Sequence, residues 1–211
     1  MMKLDKKNLI FDLGGVLLNI NPRATADALA AMGVGQSLIT DGFNMVNPIL
    51  RGLECGTVSA DELCSAVAAS MGVECTPAVQ QRIKDAWCSM LCDAPIEKFR
   101  RLRSLREQGY KVFLLSNTNA IHWQVIEEIV RGVEGCPLKG YFDGVYLSFE
   151  MHCCKPDVAI FEQLLASEGI AAADSMFFDD STENCRAAAS LGITACVMER
   201  NAAWPQWLID E

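Results

Sequence analysis

Positive charge is what this sequence has least of. Its 211 residues carry 18 Lys and Arg against 27 Asp and Glu, a formal net charge of −9. A nucleic acid or an anionic membrane surface needs positive charge spread across the contact, so neither is expected as a partner. A small phosphate ligand needs only a local cation and stays open. Histidine is scarce as well, with two residues, His122 and His152, and no Cys-x-x-Cys pair occurs. That excludes a zinc knuckle and a dithiol redox pair. The ten cysteines are then expected as reduced thiols that serve as small apolar residues. Long apolar runs are missing too: none reaches the eighteen or so residues of a membrane span. The polar stretch before Leu9 does not read as a signal peptide, and the expected location is cytoplasmic. Oligomeric state is not legible.

What is present is the balance of a soluble globular protein, 51% hydrophobic and 21% charged. The length suffices for one good-sized core, or for one core and a smaller lobe. Several short apolar runs each end on a polar residue. Asn8 to Phe11 ends on Asp12, Lys111 to Leu115 on Ser116, Val145 to Leu147 on Ser148, and Met176 to Phe178 on Asp179. A fifth run spans Thr194 to Met198. Continuous apolar runs without alternation are the mark of strands covered on both faces. Between them lie helical stripes, one through Ile96, Phe99, Leu102 and Leu105 with Gly109 as its stop, another through Ile160, Phe161, Leu164 and Leu165 between Pro156 and Gly169. Strand and helix in alternation predict an α/β fold, a Rossmann-like doubly wound parallel sheet. Ligands of such sheets bind beyond the carboxyl ends of the strands, where Asp12, Ser116 and Asp179 fall.

The interval 20–95 reads differently. It holds helical stretches near 22–32, 59–71 and 77–91 and no convincing strand. Residues 1–19 and 96–211 are therefore expected to form the core, with 20–95 an inserted α-helical cap above the site. A lobe placed there excludes water and selects substrate.

Four segments carry the chemistry: Asp12-Leu13-Gly14-Gly15-Val16, Leu115-Ser116-Asn117-Thr118-Asn119, Lys155-Pro156-Asp157, and Phe178-Asp179-Asp180-Ser181-Thr182-Glu183-Asn184. In this order, and with this placement, they resemble the signature regions of the haloacid dehalogenase-like hydrolase superfamily, across residues 10 to 184. The resemblance implies a Mg²⁺-dependent phosphatase of small phosphorylated metabolites that works through an aspartyl-phosphate. Asp12 would be the nucleophile. Asp12, the Gly14 carbonyl and Asp180 would hold Mg²⁺, with Asp179 a ligand or a support for the ligands. Ser116 and the Asn117 backbone would bind phosphoryl oxygens, and Lys155 would reach both phosphate and nucleophile. The physical logic agrees. Phosphoryl transfer needs an in-line nucleophile, neutralised phosphoryl charge and a positioned metal. Two adjacent carboxylates at a strand end repel unless a cation sits nearby. Ser116 has a second reading, as the N-cap of the following helix. His122 is expected to pack or to line the pocket rim, and Trp204 and Trp207 to pack as apolar anchors.

The sequence departs from the family pattern at one position. Phosphatases of the superfamily carry a second Asp two residues after the nucleophile as general acid/base, and here that residue is Gly14. The same pattern, with the turn Glu54-Cys55-Gly56-Thr57-Val58-Ser59, resembles a branch that includes sugar-1-phosphate phosphatases such as α-glucose-1-phosphate phosphatases. Loss of the acid costs about 10²–10⁴ in rate, so Gly14 would suit a leaving group that needs little protonation. A base for the second step would then come from the cap, with Glu54 the candidate at the substrate. Two readings compete: a metal-independent dehalogenase-type hydrolase, and a non-catalytic binding protein for a phosphate ligand.

Overall fold

The structure, a computed structural model, describes residues 4–35 and 48–209. Part of the 20–95 interval, residues 36–47, lies outside the described residues.

Five strands form one parallel sheet: β1 (Asn8–Phe11), β2 (Lys111–Ser116), β3 (Gly144–Leu147), β4 (Ser175–Asp179) and β5 (Thr194–Val197), in the order β3-β2-β1-β4-β5. Successive side chains along a strand point to opposite faces, and here both faces are covered. Leu9, Phe11, Val112, Leu114, Met176 and Phe178 join one buried cluster, while Ile10, Phe113, Leu115 and Phe177 join another. This is why the strands read as unbroken apolar runs. The first face is closed by the helices Ile96–Glu107 and Ala120–Glu134. The second is closed by Val158–Glu168 and Thr182–Ser190. Trp204 stacks on Phe11 with ring centroids 5.1 Å apart, and Trp207 on Phe178 at 6.2 Å, sealing the first face from the C-terminal side. The doubly wound α/β sheet expected from the sequence is the observed fold.

Among the described residues the 20–95 interval holds four helices, α1 (Pro22–Ala31), α2 (Pro48–Glu54), α3 (Ala60–Ser70) and α4 (Pro77–Cys88). Among the described residues they share a separate apolar cluster built on Leu29, Leu53, Leu63, Val67, Ile83 and Trp87, which Ile121 of the core joins. The start of α3 is legible in the sequence: Ser59 and Glu62 form a reciprocal capping box. Helix α2 was not anticipated. Its seven residues hold only Gly52 and Leu53 buried, too few to generate a stripe. The chain enters and leaves the lobe through a short ribbon in which Ile20 and Leu91 pair antiparallel. Asn19 and Asn21 N–H donate to the Asp93 and Met90 carbonyls at 3.0 and 2.8 Å. The remaining helices are α5 (Ile96–Glu107), α6 (Ala120–Glu134), α7 (Ser148–Met151), α8 (Val158–Glu168), α9 (Thr182–Ser190) and α10 (Gln206–Ile209).

One turn seats the lobe on the core. Gly56 has φ +68°, and a Cβ there would lie 2.1 Å from the Phe149 carbonyl oxygen. Beside it the Ser148 hydroxyl lies 2.7 Å from the Glu54 carbonyl oxygen, and His152 Nδ1 lies 3.1 Å from that of Cys55. Gly56→Ala is therefore expected to lower stability by about 1–3 kcal/mol through strain alone, and to lift the Glu54 turn away from Ser148. Urea denaturation and the KM of a test substrate check the two effects, and a variant matching the parent in both would contradict the close seating.

Candidate active site

The order of strands reverses between β1 and β4, because the chain runs outward to β2 and β3 on one side and to β5 on the other. Side chains just past those two strands meet at the crevice where such sheets bind ligands. Register makes Phe11 the partner of Phe178, so Asp12 and Asp179 emerge level, and the Asp12 N–H donates to the Phe178 carbonyl at 2.8 Å.

Lys155 joins them from the loop before α8. Its ammonium has three donors and all are placed: Asp12 Oδ1 at 2.7 Å, Asp179 Oδ2 at 2.7 Å and the Leu115 carbonyl at 2.9 Å. The lysine is 2% exposed, a burial that only paired charge makes tolerable. Burial pulls its ammonium towards neutrality, but the Asp12 and Asp179 carboxylates outweigh it and hold the proton more firmly than usual. Burial raises the Asp12 carboxyl to about 7, Lys155 lowers it and Asp179 raises it again. Asp12 is thus a carboxylate short of counter-charge.

Asn117 positions that lysine. Its side-chain amide accepts from the Lys155 N–H and donates to the Lys155 carbonyl, both at 2.8 Å, which fastens the loop to the end of β2. Asn117 was read from the sequence as a substrate contact through its backbone, and its side chain has this separate task. Asp179 is similarly engaged. Its Oδ1 accepts from the Ser181 N–H and Asn184 Nδ2, and its Oδ2 from Lys155 and Asn184. With all this and no exposure, it has little capacity left for another ligand. Asp180 is freer: its paired group is Arg200, whose Nε donates to Oδ2 at 2.5 Å. Gly15, with φ +81°, allows this approach, since a Cβ there would sit 2.7 Å from Asp180 Oδ2.

Asp12, Asp179 and Asp180 present carboxylate oxygens within 4.8 Å of one another. An all-oxygen donor set with a net negative balance fits Mg²⁺, which takes one or two carboxylates and fills its other positions with water or phosphate. Asp12 and Asp180 are the pair with capacity to spare. Gly14, two residues after Asp12, pairs with Leu18 in a short parallel bridge.

Ser116, buried at the end of β2, does not cap the next helix. That N-cap is Asn119, whose side chain accepts from the His122 N–H at 3.0 Å. A cavity of about 130 Å³ opens beside this loop, and Gly14, Ser116, Asn117 and Glu54 all line it. Glu54, at the C-terminus of α2, projects into it from the lobe; burial raises its carboxyl to about 7, with Lys155 pulling the other way. His122 also lines the cavity. Its Nδ1 lies 3.2 Å from Asn119 Nδ2 and its Nε2 3.1 Å from the Trp87 carbonyl, so Nε2 carries the proton and Nδ1 accepts. Burial lowers it to about 4, and the ring is neutral at pH 7. Among the residues with a part here, Asn184 ends the fourth segment and was legible as motif but not as a partner of Asp179. Arg200 gave no signal at all, as a single arginine after a strand carries none. The ten cysteines are all free thiols, and no helix among the described residues is long and apolar enough to cross a membrane.

A doubly wound sheet with a carboxylate, a buried lysine and an acidic pair at its switch point defines a class of hydrolase. The haloacid dehalogenase-like hydrolase family model matches residues 6–192, and the chain belongs to that family. It is 30% identical over 205 residues to a D-ribitol-5-phosphate phosphatase of Bacteroides thetaiotaomicron, covering 96% of each chain. It is 26% identical over 187 residues to a sesquiterpene phosphatase of Aspergillus oryzae, covering 89% of this chain and 87% of that one. Among solved structures, a HAD family enzyme of B. thetaiotaomicron in complex with magnesium and inorganic phosphate superposes with a TM-score of 0.85, at 33% identity over 94% of this chain and 97% of the other.

Proposed function

We propose that this chain is a magnesium-dependent phosphatase of small phosphomonoesters that works through an aspartyl-phosphate on Asp12. The observation that carries the reading is the convergence of Asp12 with a fully buried Lys155 and with Asp180 at the switch point of the sheet. The relatives with phosphatase names, and the magnesium and phosphate of the similar structure, support it.

Asp12, the Gly14 carbonyl and Asp180 would hold the metal, while Asp179 keeps Lys155 in place. Bound there, Mg²⁺ supplies charge neutralisation and alignment of phosphoryl oxygens. The protein's own groups do the rest. Ser116 and the Asn117 N–H bind phosphoryl oxygens, and Lys155 offsets charge at the nucleophile. An Asp12 oxygen attacks phosphorus, and the bond from phosphorus to the leaving oxygen breaks. In the second step water attacks phosphorus, the bond to Asp12 breaks, and inorganic phosphate leaves. Residues 20–95 act as a cap over a core of 1–19 and 96–211.

Proton transfer falls to Glu54. It gives its proton to the leaving oxygen and takes one from the attacking water. A carboxyl near 7 is matched to both tasks at neutral pH. A readily expelled leaving group, such as the phenol of an aryl phosphate, places the least demand on it.

The experiment is turnover of an aryl phosphate with Mg²⁺, with and without EDTA, in the parent and in Glu54→Gln. Chelation is expected to abolish activity. Haloacid turnover that survives EDTA would favour the dehalogenase instead. Glu54→Gln is expected to lose about 10²-fold in kcat on an alkyl phosphate and less on an aryl one. It should also lose the fall in rate as pH rises through about 7, because the parent needs the protonated acid below that value. An unchanged pH profile would remove Glu54 from the mechanism.

A further inference from the structure

Beyond Ser116 and Asn117 at the phosphoryl-binding floor, the described cavity lining is apolar but for Glu54, Thr118 and His122. Leu18, Ile20 and Leu91 come from the hinge ribbon and its approach, Leu50 and Trp87 from the lobe, and Ile126 from α6. The polar groups facing them are nearly all committed. His122 uses both ring nitrogens, and the Asn117 amide uses both its oxygen and its nitrogen on Lys155. Thr118 shares its backbone N–H and carbonyl with Ser148. Among the described residues no arginine, lysine or glutamine lines the cavity, and Glu54 is the one carboxyl that does.

Gly14 completes the picture. Its backbone does not demand glycine, but a Cβ there would meet Ile20 Cδ1 at 3.3 Å and Cγ2 at 3.6 Å. Ile20 is itself held by Asn201, which accepts from its N–H at 3.0 Å and donates to its carbonyl at 2.8 Å. Ile20 thus packs close against position 14, and a side chain there would require the end of Ile20 to give by a few tenths of an ångström. A polyol entering this cavity would bury several hydroxyls with few groups among the described residues, Glu54, Ser116 and the Thr118 hydroxyl, to receive them, and unpaired buried hydroxyls are costly.

We propose that the leaving group is a compact apolar alcohol or phenol and not a polyhydroxylated one. The inference rests on the phosphatase reading and names its substrate class. Size is consistent with this: an apolar void of about 150 Å³ holds a benzene ring, and 130 Å³ is of the order of a single ring or a short branched chain.

The test compares benzyl phosphate with ribitol 5-phosphate and glucose 1-phosphate under Mg²⁺, the first two being esters of primary alcohols. Benzyl phosphate is expected to have the higher kcat/KM by at least about tenfold, as one methylene in an apolar pocket is worth about 10–200-fold. Leu50→Asn is expected to shrink that ratio several-fold while leaving 4-nitrophenyl phosphate, whose leaving group is easily expelled, turned over. Equal or better use of either polyol ester overturns the inference and leaves the phosphatase reading intact. If no ester is hydrolysed, the phosphatase reading falls. Calorimetry then decides the pocket with the hydrolysis-proof isosteres, 2-phenylethylphosphonate against the phosphonate analogue of ribitol 5-phosphate. Tighter binding of the aromatic one sustains the apolar site, and equal, weaker or absent binding ends it.

Discussion

Asp12→Asn is expected to reduce turnover of an aryl phosphate by about 10⁴-fold or more, roughly 5.5 kcal/mol of transition-state stabilisation, with no loss of folding stability. The substitution keeps the shape of the side chain and removes its nucleophilicity and its charge together. Lys155 keeps Asp179 as its ion-pair partner at 2.7 Å, so the buried ammonium is not stranded. Because burial raises the Asp12 carboxyl to about 7, the wild-type chain carries the cost of a confined charge above that pH. Melting temperature at pH 8 without metal should therefore be unchanged or higher in the variant. Initial rates, rapid-quench trapping of the phosphoenzyme and thermal scans check the three parts. Turnover within tenfold of the parent would remove Asp12 from the nucleophilic role.

Lys155→Met should be the more damaging change, because it strikes folding and chemistry together. Removing one partner of a buried charge cluster leaves the others uncompensated, which typically costs about 3–5 kcal/mol. Here two carboxylates would remain, Asp12 and Asp179, with the Leu115 carbonyl also losing its donor. The pH dependence has a definite sign. Asp12 binds its proton more tightly folded than unfolded, since its carboxyl is raised from 3.8 to about 7, and without the lysine it rises further. Stability from such a group is present at low pH and lost as pH climbs through the folded value. The variant should hence be weakest above pH 7 and regain stability as pH falls towards 4. Urea midpoints at pH 5 and pH 8 measure this, and a penalty independent of pH would contradict the charge cluster. Asp179→Asn, which leaves Asp12 to pair Lys155, should cost less.

Much of this fold was legible because parallel strands covered on both faces have no polar side to interrupt them. The runs ending at Asp12, Ser116 and Asp179 correspond to β1, β2 and β4, and the stripe through Ile96 and Phe99 to α5. Helix α2 escaped because it is short and buries only two residues. Its position matters, since it delivers Glu54. The N-cap reading of Ser116 failed for a local reason: two residues, Asn117 and Thr118, separate the strand end from the true cap at Asn119.

The residue types of the site were set by the sequence alone, in four segments whose order and strand-end placement leave little latitude. What those residues do to one another was decided by the tertiary structure. Lys155 meets Asp12 across 143 positions and Asp179 across 24, and only strand order and register make those separations short. The same holds for Gly14. In the sequence it is an acid missing from a motif; in the fold it is a close neighbour of Ile20, which Asn201 secures from 181 positions away. Periodicity reports which face of an element is buried, a property of neighbours along the chain. Which carboxylate receives a lysine, and which wall faces a substrate, depends on groups that only packing brings together.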